Sequence, residues 1–136
     1  MKPGTRRRIY LREAAVTLAV AKLAVRFVPV SRLTAWASRP PRRIARFALG
    51  EVGWIAWAVD TVGAKPWMRA LCLPRALAAQ AMLRRRGIAG RLCLGVAREG
   101  QGLAAHAWIE LGQEIIVGGS EAPRFTRLVE FGGSSG

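Results

Sequence analysis

Apolar residues recur at helical intervals through the first third of the chain. Val16, Val20, Leu23, Phe27 and Val30 follow a 4-3-4-3 spacing that sets them on one face, with Lys22 and Arg26 off the stripe. Pro29 stops or kinks this helix. Ser31 is placed to cap a short helix through Ser38, which Pro40-Pro41 ends. A third helix reads from about Arg42 to Val62 on a stripe of Ile44, Ala48, Val52, Ile55, Val59 and Val62, with Gly63 as its C′ residue. After a break at Gly63-Ala64-Lys65-Pro66, a further helix runs to Arg84-Arg85-Arg86, with Gly87 just past its end. Cations in a last turn suit the helix dipole, and the triplet reads as a solvated end.

Beyond Gly87 the period shortens to that of strands. Leu92, Leu94 and Val96 alternate, Glu99-Gly100-Gln101-Gly102 reads as a turn, a second strand covers residues 104–111 and a third Glu114–Val117. Gly112-Gln113 between the last two is a two-residue hairpin turn. Residues 118–136 read as irregular chain, with 132–136 a flexible tail. Helices followed by an antiparallel sheet predict an α+β fold, divided into a basic helical region over 1–63 and a core over 64–131.

A length of 136 residues gives one modest domain, too short for a TIM barrel or a full dinucleotide-binding enzyme. With 51% hydrophobic residues the chain is not disordered, in spite of a net charge of +14. The charge is uneven. Residues 1–46 hold twelve Lys and Arg against the single acid Glu13, a net of +11. The other ninety residues hold ten cations and seven acids. Nineteen of the 22 cations are Arg, which favours bidentate contact with carboxylate or phosphate. The basic start followed by apolar residues resembles an export signal, but the mostly apolar run from Ala14 to Ala21 is short of the roughly 20 residues of a membrane span. A basic amphipathic helix lying on an anionic membrane surface stays compatible with the pattern. Two cysteines make no disulfide framework, so a reducing, cytoplasmic setting is expected. No zinc spacing and no P-loop occur, so neither a metal nor a cofactor is expected.

The rare residues carry the chemistry. Cys72 stands two residues before Pro74, which fits the first turn of a helix. There the free N–H groups and the dipole favour a thiolate, as a cysteine nucleophile requires. His106, the one histidine, alternates within a strand, sharing a face with Trp108 and Glu110. Taken singly, Cys72 also fits a buried structural cysteine and His106 a satisfied half-buried histidine. Together they give the order of cysteine acyl-transfer enzymes, a nucleophile at a helix start and a base on the following sheet. A third group should orient the imidazole. With Gly112-Gln113 as the turn, the register sets His106 opposite Gly119, so a carboxylate at 118 or 119 would face the ring. Gly118-Gly119 stand there. Cys93, in Leu92-Cys93-Leu94, reads as core. Trp67 and Trp108 fit either a cleft wall or ordinary packing.

Cys72-Leu-Pro-Arg-Ala-Leu77, then Met82-Leu-Arg-Arg-Arg-Gly87-Ile88, Leu92-Cys-Leu-Gly-Val96 and Ala105-His-Ala-Trp-Ile-Glu110 together resemble the transglutaminase-like cysteine peptidases of lasso-peptide biosynthesis. The likeness spans about residues 10–130. It implies a transglutaminase- or papain-like core, with a nucleophile helix packed on a small antiparallel sheet. It implies removal of the leader from a lasso-peptide precursor, with Cys72 as nucleophile and His106 as base. The family's third member is usually an aspartate about a dozen residues after the histidine, and that position falls at Gly118. Glu121 and Glu110 are the substitutes in reach, beside a backbone carbonyl or water. With no strand-rich lead-in, residues 1–62 resemble the split form of the family. That form needs a separate leader-recognition protein and works beside an asparagine-synthetase-like macrocyclase. The competing expectation is a basic accessory module without catalysis, binding nucleic acid or a membrane.

Overall fold

The structure, a computed structural model, describes residues 2–41, 49–118 and 126–132. Prolines set the helix ends in its N-terminal half. Pro3 opens α1 (Pro3–Phe27), where its missing N–H leaves no hydrogen bond unmade. Pro29 ends that helix, because the residue before a proline is driven out of the helical region; Val28 sits at φ −105°, ψ 133°. α2 (Val30–Ser38) stops in the same way, with Arg39 extended ahead of Pro40. The cap expected from Ser31 is not made: Pro29 holds the N-cap position and Ser31 lies inside the first turn. α3 (Leu49–Gly63) buries Val52, Ile55, Val59 and Val62 as their spacing predicts, joined by Ala58. The expected start at Arg42 and the stripe positions Ile44 and Ala48 lie outside the described residues.

α1 turns its other face inward. Tyr10, Ala14, Leu18 and Ala21 are buried, while Val16, Val20, Leu23 and Phe27 are 59–72% exposed. Val30 is also exposed and begins α2. The reason is steric. α1 packs against both α3 and α4 (Cys72–Arg85), and alanines let two helix backbones approach where a row of valine and phenylalanine would hold them apart. The apolar ridge that periodicity picks out is therefore an outer surface.

The Arg84-Arg85-Arg86 triplet is likewise not a simple solvated end. Arg86 pairs with Glu13 at 2.8 Å and lies over the Tyr10 ring. Arg84 lies over Trp36 and donates to its carbonyl. Only Arg85 of the three stays largely exposed. The triplet thus ties the end of α4 to α1 and α2.

Four strands complete the described chain: β1 (Arg91–Glu99), β2 (Gly102–Leu111), β3 (Glu114–Val117) and β4 (Thr126–Gly132), antiparallel in the order β3-β2-β1-β4. Both hairpin turns form where the sequence places them, with Gly100 and Gly112 at positive φ. β4 was not expected. Its pairing with β1 jumps from Leu94↔Val129 to Gly95↔Arg127, and this bulge at Leu128 breaks the alternation that would mark a strand. Gly132 pairs with Arg91 and so belongs to the sheet rather than to a tail. α4 lies on the sheet, and Ala76, Ala79, Met82 and Leu83 share one buried core with Leu92, Ala107 and Ile109 and with the inner faces of α1 and α3. The α+β fold expected from the sequence is the fold observed.

Candidate active site

Cys72 is the first residue of α4. The N-cap position belongs to Leu71, which is extended and whose side chain cannot accept a hydrogen bond. Pro74, two residues on, has no N–H to satisfy. The first turn of α4 therefore keeps backbone donors that a serine or aspartate cap would have taken. Cys72 is partly exposed, whereas Cys93 is fully buried against Trp108 on the neighbouring strand.

His106 lies on β2, beyond the point where β3 stops pairing. The expected register holds from Leu111↔Glu114 to Glu110↔Ile115. A bulge at Ile116 then shifts it, so that Ile109 pairs with Val117. Gly118 follows at φ +82° and turns its carbonyl oxygen to 3.1 Å from His106 Nε2. A carbonyl oxygen only accepts, so this contact puts the ring proton on Nε2 and leaves Nδ1 the basic nitrogen of the neutral imidazole. The Trp108 ring stacks on His106 at 5.8 Å between centroids. Trp108 in turn donates its indole N–H to Glu110 Oε2 at 3.0 Å, where the Cys93 thiol also donates, at 2.9 Å. Arg91 approaches the other Glu110 oxygen at 3.6 Å. Glu110 is thus buried on the far side of Trp108 from the imidazole, and Glu121 lies outside the described residues.

Cys72 and His106 line one cleft of about 500 Å³, with Gly118 and Ile115 on its sheet side. Trp108 is buried behind the histidine, and Trp67 is two-thirds exposed. Among the described residues no cluster of His, Cys, Asp or Glu could hold a metal ion.

Two further residues line the cleft to which the sequence assigned no role: Asp60, the one aspartate, which precedes Cys72 and lies outside the motif, and Arg75, which lies within it. Asp60 sits on the last turns of α3 and Arg75 in the first turn of α4, and Arg75 Nη1 stands 3.6 Å from Asp60 Oδ1. No spacing signals this pair, because it exists only where the end of α3 meets the start of α4. Burial raises the Asp60 carboxyl above its ordinary range, against the pull of Arg75. An acid whose folded pKa is raised adds stability below its unfolded pKa and loses it as pH rises through the folded value. Asp60→Asn should therefore gain in melting temperature relative to wild type as pH is raised from about 3 to 7, on top of a pH-independent offset set by loss of the Arg75 contact. Thermal melts across that range check it, and an increasing deficit for the variant would contradict it.

A profile of the transglutaminase-like superfamily matches residues 14–130, from the middle of α1 into β4. No curated protein and no solved structure matches the chain.

Proposed function

Since the chain belongs to the transglutaminase-like superfamily, which includes cysteine proteases, we propose that it is a cysteine peptidase that removes the leader from a lasso-peptide precursor. The observation that carries this reading is one cleft holding a cysteine at the start of α4 and the chain's one histidine, its ring fixed by Gly118 and Trp108. The leader and lasso specificity rests on the motif resemblance across residues 72–110.

In this mechanism Nδ1 of His106 takes the Cys72 proton and the thiolate attacks the carbonyl at the leader–core junction. The oxyanion that forms meets the backbone N–H groups of the first turn of α4, which Leu71 leaves uncapped. The intermediate collapses as Nδ1–H protonates the departing core amine, and the leader remains as a thioester on Cys72. Water, deprotonated by His106, then releases the leader acid. The Gly118 carbonyl supplies the orientation that an aspartate supplies in the resembling peptidases. Glu110 contributes through Trp108, as a support behind the ring. The test is mass spectrometry of a precursor incubated with this chain and a leader-recognition protein. A cut at the leader–core junction is expected; crosslinked or deamidated products would instead indicate transglutaminase chemistry.

The exposed ridge of α1 is assigned to that separate recognition protein. Val16, Val20, Leu23 and Phe27 form an apolar strip, with the exposed Arg12 and Arg26 along it and the Arg26 guanidinium over the Phe27 ring. Beside it Val20, Ala24, Leu33 and Trp36 line an apolar groove of about 290 Å³. The complementary partner surface carries an apolar side chain for the groove and an acidic rim for the arginines. Phe27→Asp should weaken association at least about tenfold by calorimetry, a loss typical of a central apolar contact. Unchanged affinity, together with cosedimentation of the wild type on anionic vesicles, would assign the ridge to a membrane surface. Among the described residues no helix is long and apolar enough to cross a membrane. The macrocyclase, which would consume the freed core peptide, is a proposed partner on the same resemblance.

A further inference from the structure

The turn between α3 and α4 delivers the nucleophile, and it is held from three sides. Ala70 N–H donates to the Gly63 carbonyl at the end of α3, at 2.9 Å. Lys22 Nζ, from α1, donates to the Met68 carbonyl. Arg75 reaches back from the first turn of α4 and donates through Nε to the Ala70 carbonyl, at 2.8 Å. Within the turn Arg69 takes φ +44°, the one non-glycine residue at positive φ among those described. A left-handed residue three positions before Cys72 stays only where its surroundings hold it there.

Arg75 takes this path because residue 63 is glycine. A Cβ on Gly63 would stand 2.8 Å from Arg75 Nε and 3.2 Å from Cζ. Gly63 is the last residue of α3 and is not among the glycines at positive φ, so the expected C′ role is not the one it fills. It is a gap through which the guanidinium passes. Asp60, one turn earlier on α3, meets the guanidinium at its outer edge at 3.6 Å. The end of α3 and the start of α4 are thereby locked together, with Ala70 and Leu71 between them and Cys72 next in the chain.

We propose that Arg75 is a positioning residue for the Cys72 nucleophile, seated in the gap left by Gly63 and anchored outward on Asp60. It holds the Ala70 carbonyl turned toward its own Nε. That fixes the peptide units leading into Cys72 at the start of α4. A planar guanidinium does this where an ammonium does not, because one group must serve the Ala70 carbonyl with Nε and Asp60 with a terminal nitrogen. The inference rests on Cys72 being the nucleophile, and its test is separable from that premise.

Iodoacetamide labels an accessible reactive thiol without any substrate, and peptide mapping distinguishes Cys72 from the buried Cys93. Arg75→Ala, checked for folding by circular dichroism, should lower the Cys72 labelling rate about tenfold or more, the scale at which misplacement of a reacting group is felt. On a cleaved precursor kcat should fall in parallel, with KM inside about threefold of wild type. Arg75→Lys should behave like Arg75→Ala, since charge without the fork does not hold Ala70. Gly63→Ala should reproduce the loss with Arg75 still present. In the Arg75→Ala background the same Gly63→Ala change should matter less than about twofold, because the methyl group has nothing left to displace. A folded Arg75→Ala that labels at the wild-type rate, or a Gly63→Ala loss of equal size in both backgrounds, overturns the proposal. Wild-type Cys72 that labels no faster than free cysteine would defeat the nucleophile assignment itself.

Discussion

Replacing Cys72 with alanine should stop leader cleavage, lowering kcat by about 10³–10⁶-fold, the range found when a nucleophile or its base is removed. His106→Ala should fall as far, because the sequence holds no second histidine to take the proton. The double variant should be no worse than either single one, since the two groups perform one proton transfer and one attack as a unit. Cys93→Ala is the control. Its thiol is buried and donates to Glu110, so the variant should keep most of the activity while losing some stability. Quenched-time-course mass spectrometry on the four proteins reads all of this. Full cleavage by Cys72→Ala would remove the thiol from the mechanism. Loss of cleavage in a folded Cys93→Ala would move the nucleophile to the wrong cysteine for this account.

Installing aspartate at Gly118, where the resembling peptidases carry their third catalytic member, should lower activity rather than raise it. Gly118 sits at φ +82°, a conformation that costs an L-residue about 1–2 kcal/mol. A Cβ there would also stand 3.0 Å from the Trp108 Cβ and 3.1 Å from both the Ala107 carbonyl oxygen and His106 Nε2. The imidazole would have to move or the turn would have to unwind, and either change ends the contact between the Gly118 carbonyl and Nε2. Gly118→Asp and Gly118→Ala should each lose about 1–3 kcal/mol by urea unfolding and about 10–100-fold in kcat. The alanine variant isolates the steric part from the carboxylate. A gain in kcat for Gly118→Asp would mean that the turn relaxes and that a carboxylate orients the ring better than the carbonyl does.

Much of the candidate site's geometry was legible because local chemistry dictates it. Pro74 marks the start of α4 and so puts Cys72 at a helix N-terminus. Alternation through Ala105-His106-Ala107-Trp108 marks β2, and Gly100 and Gly112 supply the positive φ of the two hairpin turns. The remainder depended on what meets what in three dimensions. α1 has two apolar faces, and the sequence pattern favours the one with larger side chains. Packing chose the alanine face, because two helices must approach it closely. β4 was hidden by a bulge at Leu128, and the Ile116 bulge displaced the register that would have set Gly119 opposite His106. Asp60 lies outside the motif and Arg75 inside it with no role of its own on paper, and the two share the cleft only because α3 and α4 abut there.

The charge takes on a local meaning in the same way. Of the N-terminal cations, Arg7 stacks on Trp57 and Arg26 on Phe27, so part of the +11 is engaged with aromatic rings. Exposed Arg12 and Arg32 remain along the α1–α2 surface, which fits an acidic partner better than it fits a phosphate-tracking groove, since the strip between them is apolar.

The most direct measurement is the mass of the enzyme caught in the act. A precursor with its recognition protein is mixed with the chain, acid-quenched within the first turnover, digested and mapped. The account predicts a thioester-linked leader mass on the peptide that contains Cys72, appearing before free leader and absent from Cys72→Ala. Leader and core accumulating at the wild-type rate with no adduct on Cys72, or with the adduct on another residue, would contradict it.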